Sequence, residues 1–354
     1  MKTVVLLFAL LAVGVVSGQQ GRGLDYALRR TQHAVHQAVM DSLGEMPPNM
    51  RFREMHRLGL INRSPVAPEV DSGGLRLVGK WGGGPSVKVT GKDSLVFLSR
   101  GSEVVAINFA DTADPRALSH MQVNGLVSRS DLVDDRLYVG SVGSDPKYID
   151  VFDVSDPAEP VRLGSIRTLL NDIAVQDTLV YAIGDDSLKI FSFADPANPH
   201  LLGACRDSGN TISVSNGFAY IGDRWGLYVI DATDPANPRR VASWGTDIFS
   251  VQARNSICCV TTGNPNVPSE LNFSILDVTD PARPLRIGYL ANVGGMDMYL
   301  TDSLALLSGS GSNAHEFRIL SIADSTRPRQ LGEAPTPGRN WGVWAERTRA
   351  RAFV

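Results

Sequence analysis

An all-β fold, a seven-bladed β-propeller with an incomplete last blade, is predicted by three features of this 354-residue chain. A short Asp/Pro turn recurs six times, strand-like runs of five or six residues separate the copies, and the interval between copies is nearly constant. The turns read DTADP at Asp111–Pro115, DPAEP at Asp156–Pro160, DPANP at Asp195–Pro199 and again at Asp234–Pro238, DPARP at Asp280–Pro284, and DSTRP at Asp324–Pro328. Their closing prolines stand 39 to 46 residues apart. A period of roughly 40–50 residues built from short strands marks propeller blades, each a small sheet that must stack on its neighbours.

The grammar of one unit is clearest in the third copy. An outer strand (VRLGSI, Val161–Ile166) leads to an inner strand (DIAVQD, Asp172–Asp177), then LVYAIG (Leu179–Gly184) and LKIFSF (Leu188–Phe193), which runs into the next turn. Alternate or continuous apolar positions over such lengths are what half-buried and buried strands require. The turn itself follows from its residues. Asp accepts a hydrogen bond from a backbone N–H two residues on, and the next Pro has its φ already set for a turn. The closing Pro cannot donate to a ladder, which suits the first residue of an edge strand. These aspartates are therefore read as structural.

Seven inner strands are expected, at Ser86–Val89, Asp131–Asp134, Asp172–Asp177, Thr211–Asn216, Ser250–Asn255, Asp297–Asp302 and Gly342–Glu346. The last blade has only GVWAE and RAFV, and Leu75–Trp81 has no blade of its own, so it is expected to complete that sheet as its outer strand. Such closure hides an edge that would otherwise stay unpaired. The third strand of that blade is missing from the pattern: either the extension before Leu75 supplies it, or the chain is a fragment of a longer protein.

Ahead of the repeats, Met1-Lys2 followed by apolar Val4–Val16 and small residues at Val16-Ser17-Gly18 reads as a cleavable export signal over 1–18. The apolar run is shorter than the ~20 residues of a spanning helix. Residues 19–74 read as one amphipathic helix, with Leu24, Leu28, Val35, Val39 and Leu43 on its stripe, followed by a Pro-bearing linker. The propeller domain is thus 75–354.

At 43% hydrophobic the chain has ample core material, and a formal net charge of −3 gives no reason to expect nucleic acid or an anionic membrane as partner. Only Cys205, Cys258 and Cys259 are present; the adjacent pair must point to opposite sheet faces, so both read as buried free thiols.

The units YIDVFDVSDPAEPVRLGS, LYVIDATDPANPRRVAS and FSILDVTDPARPLRIGY resemble the LVIVD repeat, strand, turn and following strand together. The resemblance extends over 75–354, with DTADP and DSTRP as degenerate copies. It implies a β-propeller, exported or displayed on bacterial cell surfaces, with no established catalytic activity and a suggested part in adhesion.

No phosphate loop, HExxH, CxxCH or GxSxG motif is present, and the six histidines are scattered, so no metal or cofactor is expected. In a propeller the loops from outer to inner strands and from second to third strands meet on one face around the channel. Those loops carry Arg206, Asp207, Arg224, Trp225, His315, Arg339 and Trp341 as candidate binding residues, Arg and Trp being enriched in binding hot spots. The competing reading is that Trp225 and Trp341 cap blades by packing, with their arginines solvated. The expected function is an exported, non-catalytic binding or cell-surface interaction scaffold for a protein, peptide or glycan, without membrane insertion after signal cleavage. The alternative is a hydrolase or lyase with its site on the channel face.

Overall fold

The computed structural model describes residues 87–353, apart from 113, 143–146, 185, 246, 264–270, 310–315, 336–341 and 347–350. The export signal, the helical extension and the Leu75–Trp81 strand lie outside these residues. Every regular element described is a strand. Blade 1 comprises β1 (Lys88–Lys92), β2 (Leu95–Arg100), β3 (Glu103–Asn108) and β4 (Arg116–Gln122). Blade 2 is β5 (Leu126–Val133), β6 (Arg136–Val142), β7 (Tyr148–Asp153) and β8 (Val161–Arg167). Blade 3 is β9 (Asp172–Gln176), β10 (Leu179–Gly184), β11 (Ser187–Ser192) and β12 (His200–Cys205). Blade 4 is β13 (Thr211–Ser215), β14 (Phe218–Asp223), β15 (Gly226–Asp231) and β16 (Arg239–Trp244). Blade 5 is β17 (Ile248–Arg254), β18 (Ile257–Thr262), β19 (Asn272–Asp277) and β20 (Leu285–Leu290). Blade 6 is β21 (Asp297–Leu300), β22 (Leu304–Ser308), β23 (Glu316–Ser321) and β24 (Arg329–Pro335), and a last hairpin joins β25 (Trp344–Glu346) to β26 (Arg351–Phe353).

All ladders are antiparallel, and each blade is a four-stranded meander in chain order. Complete blades number six, and the seventh place among the described residues holds the two-stranded sheet β25–β26, the incomplete last blade that the sequence predicts. The ring nonetheless has seven inner strands. Each contacts the inner strand of the blade on either side, and β25 contacts both β21 and β1. The count of inner strands was readable because each carries its own apolar run. The rest of the last sheet was assigned to chain outside the described residues.

Tight two-residue hairpins join first to second strands in blades 1 to 5. Their leading residue takes a left-handed conformation at Asp93, Asp134, Asp177, Asn216 and Asn255, with φ of 54°, 54°, 57°, 54° and 54°. Asp and Asn are the side chains that tolerate it best after Gly. At the other end of the blade the Asp/Pro turn forms as its composition requires. Oδ1 of Asp156, Asp195, Asp234, Asp280 and Asp324 accepts the N–H two residues on, at 2.9–3.1 Å. The carbonyl of the same aspartate accepts the N–H three residues on.

The core is divided among the interfaces between blades. Phe97, Val104 and Met121 of blade 1 pack on Leu137, Val139 and Phe152 of blade 2, and comparable clusters follow around the ring. The small sheet has one on each side. Trp344 and Phe353 pack with Val96, Ile107 and Phe109 of blade 1, and Val343 and Ala345 pack with Leu306 and Phe317 of blade 6. Cys258 and Cys259 face opposite interfaces, buried and unbonded, as their adjacency in a strand dictates. Cys205 is half-buried and also free.

Two further contacts join blade to blade. Near the rim, Gly164, Gly203 and Gly288 sit at equivalent places in β8, β12 and β20, each directly after the bulged residue in the pairing with the third strand. Each lies so close to the Asp/Pro turn of the following blade that a Cβ would overlap the carbonyl oxygen of Pro196, Pro235 or Ser325. In β4 the equivalent residue is Ser119, whose hydroxyl donates to the Pro157 carbonyl at 2.6 Å. At the hub, a side-chain acceptor on one inner strand takes an N–H at the next blade's inner edge. Asp131 accepts from Val175 (3.1 Å), Asp172 from Ile212 (3.1 Å), Ser213 from Ala253 (2.9 Å) and Asp297 from Val343 (3.1 Å). A buried N–H without such a partner would cost about 1–3 kcal/mol.

The Gly203→Ala variant is expected to lose about 1–3 kcal/mol of stability, the cost of overpacking a closely fitted contact. Urea denaturation measures it, and a midpoint equal to wild type would mean that the Pro235 turn yields freely.

Candidate functional site

Two places gather chemistry, the central channel and a concavity on one face between blades 3 and 4. In the channel, residues of the inner strands surround a space of about 200 Å³. Lys88 and Arg129 supply two cations against Asp131, Asp172 and Asp297. Lys88 Nζ donates to Asp297 Oδ2 at 2.6 Å, Arg129 Nε lies 2.7 Å from Asp172 Oδ1, and Arg129 Nη1 donates to Asp297 Oδ1 at 3.3 Å. Burial pushes the Asp297 carboxyl up, but Lys88 and Arg129 outweigh it and hold it below the usual carboxylate range. Burial also raises Asp172, and there it prevails over Arg129. Asp131 is the carboxylate left over. Burial drives its pKa to about 6, offset only in part by Lys88 and the N–H groups of Val175 and Leu132.

These carboxylates are also the hub clasps, so hydrogen bonds between strands already engage them. Reading the sequence for catalytic motifs passed over them. Their signal was an Asp at an otherwise apolar inner-strand position, as in DLV, DIAV and DMYL.

The second place is built from loops. An open concavity of about 440 Å³ is lined by Asn171, Asp186, residues 206–210, Asp223, Arg224, Trp225, Tyr228 and Arg240. Four of the residues expected from sequence, Arg206, Asp207, Arg224 and Trp225, share this one wall; His315, Arg339 and Trp341 lie outside the described residues. Trp225 is 67% exposed, so it does not cap its blade by packing. It is held at the tip of the β14–β15 loop because Asp223 Oδ1 accepts the N–H groups of Trp225 (2.7 Å) and Gly226 (3.0 Å). The Arg224 guanidinium lies 4.6 Å from the indole centroid.

Asp207 is buried and engaged. Arg240 Nε donates to it at 2.7 Å, while the Arg240 guanidinium lies 4.3 Å from the Tyr228 ring centroid. Burial, with Asp207 beside it, lifts the Cys205 thiol to about 11, so this cysteine is not a ready nucleophile at neutral pH. Tyr228, Arg240 and Asp223 were missed in the sequence because they belong to strands, and only packing brings them beneath the loops.

The left-over carboxylate in the channel sets a pH dependence. With the folded pKa of Asp131 near 6 and the unfolded value at 3.8, the folded protein holds the extra proton between them. Its contribution to stability is full below about pH 4 and is lost as pH rises through about 6. Asp131→Asn keeps an acceptor for Val175 without the charge. It is expected to be more stable than wild type by about 2–3 kcal/mol at about pH 7.5, an advantage that fades toward pH 4. Urea unfolding at both pH values checks this, and a difference independent of pH would contradict it.

Segments 137–168 and 208–246 match the LVIVD repeat family profile. No curated protein matches the chain. Among solved structures it is similar to a functionally unknown protein from Desulfotomaculum acetoxidans, with TM-score 0.57 and 11% identity over 72% of this chain and 90% of that one. It is also similar to a protein from Lactobacillus plantarum, with TM-score 0.59 and 9% identity over 73% and 86% of the two chains. A third is a putative 6-phosphogluconolactonase from Bacteroides uniformis, with TM-score 0.55 and 12% identity over 69% and 82%. Identities this low carry the fold alone. The ring of stacked sheets described above is a β-propeller, and two of its segments carry the LVIVD repeat.

Proposed function

We propose that this protein is an exported, non-catalytic scaffold that binds a protein, peptide or glycan on the loop face between blades 3 and 4. The observation that carries the reading is the exposed Trp225, held out by Asp223 and flanked by Arg224 over a polar concavity. A large aromatic surface kept in water by a dedicated hydrogen-bonded loop has no packing role there, and Trp and Arg recur where binding energy concentrates. Export rests on the apolar Val4–Val16 run and its small-residue cleavage site. After cleavage the chain stays outside the bilayer; among the described residues no helix is long and apolar enough to cross a membrane. The near-neutral charge balance supports a partner other than nucleic acid.

A hydrolase or lyase would place its acid and base in the channel, where three aspartates do converge. Their engagement in clasps between strands favours a structural role, because a catalytic carboxylate needs an oxygen facing the substrate.

The test is a binding screen of the mature chain against glycan and protein arrays, repeated with Trp225→Ala and Arg224→Ala. Each substitution is expected to weaken the principal ligand about tenfold or more, a loss of at least about 1.4 kcal/mol. Full binding by both variants would remove this face as the site.

A further inference from the structure

We infer that the concavity between blades 3 and 4 takes an acidic saccharide, its ring stacked on Trp225 and its carboxylate held by Arg206 and Arg224. The inference rests on the binding-scaffold reading above and narrows it to a ligand class.

The charges in the cavity wall are unequally engaged. Of its three aspartates, Asp207 is neutralised by Arg240, and Asp223 is spent on the N–H groups of Trp225 and Gly226. Several arginines elsewhere meet carboxylates: Arg129 meets Asp172 and Asp297, Arg239 meets Asp231, and Arg351 meets Glu346. Arg206 and Arg224, by contrast, have no carboxylate partner among the described residues, and both line the same wall. Two guanidinium groups without a carboxylate partner, one of them Arg224 resting over the Trp225 ring, suit a ligand carboxylate, which their planar donors match in geometry.

The remaining features select a sugar over a peptide. Three backbone N–H groups at or near this wall are already paired: Asn171 N–H donates to Ile183 O (2.7 Å), Asn210 N–H to Gly222 O (2.9 Å) and Asp247 N–H to Arg224 O (3.0 Å). A peptide seeking main-chain hydrogen bonds by strand addition finds no open edge there. Recognition falls to side chains. Trp225 presents a flat apolar face to the C–H groups of a pyranose. The Asn210 amide and the exposed Asp186 can read hydroxyl groups around it. A volume of about 440 Å³ lies within the small-ligand range and is far from a protein-sized footprint.

The full chain is titrated with oligogalacturonate, a sialylated oligosaccharide, neutral galacto-oligosaccharide and a poly-Glu peptide, followed by calorimetry and by tryptophan fluorescence. Binding of at least one acidic sugar is expected, about tenfold or more tighter than the neutral sugar, and weakened as salt rises from about 50 to about 300 mM. The Arg206→Gln/Arg224→Gln double variant should erase the preference for the acidic sugar. Trp225→Ala should remove binding and the fluorescence change, with both variants keeping the wild-type thermal midpoint. Equal affinity for neutral sugar, or binding of poly-Glu alone, overturns the acidic-saccharide assignment and leaves the scaffold reading intact. Binding of no probe overturns the assignment too. The scaffold reading falls with it only if every array ligand is also indifferent to Trp225→Ala.

Discussion

Each sheet here has two apolar faces and no core of its own, so every blade is stable only against its neighbours. That constraint explains why the buried side chains form clusters between successive blades and why a seventh position must be filled even by a two-stranded sheet. Without β25 and β26, the outward faces of blades 1 and 6 would open to water. Trp344 alone fills much of that gap, lying against Gly91 and stacked at 5.4 Å with Phe353, which meets Phe109 at 4.9 Å. The Arg351 guanidinium then secures the hairpin by donating to the Phe109 carbonyl at 2.7 Å.

Apolar packing alone is poorly directional, and the polar contacts supply the angle between blades. Near the rim the bulge within the fourth strand sets a small residue against the next turn, and at the hub an acceptor grips the next inner strand. The two contacts lie at opposite radii of the same interface, so together they resist both splaying and slipping. The hub clasps carry a consequence in charge. Three of them are aspartates in a narrow channel with two cations, and burial raises Asp131 and Asp172 while Lys88 and Arg129 hold Asp297 down. The channel thus reads as a fastening whose residues are occupied with one another.

The face between blades 3 and 4 differs in this respect. In its inner layer Asp207 is paired with Arg240 and Asp223 with its loop N–H groups. Its outer layer, Arg206, Arg224 and Trp225, is turned to solvent. A paired layer beneath an open one favours binding, because the groups already held have little side-chain freedom left to lose when a ligand arrives.

Local chemistry was legible in the chain before any coordinates. The Asp/Pro turns, the short strands between them and the opposite facing of Cys258 and Cys259 follow from bonds and periodicities that span only a few residues. Grouping Arg206 and Asp207 with Arg224 and Trp225 on one face was equally within reach, since loop order in a meander decides which ends meet. The incomplete last blade was legible as well, since GVWAE and RAFV each carry a strand run and become β25 and β26, while Leu75–Trp81 lies outside the described residues. The partners of Asp131, Asp172 and Asp297, the fit of Gly164 against Pro196 and the Arg240–Asp207 pair beneath Trp225 were not. Those contacts join residues some 30 to 50 positions apart or across the ring closure, and only the radial stacking of blades brings them within bonding distance.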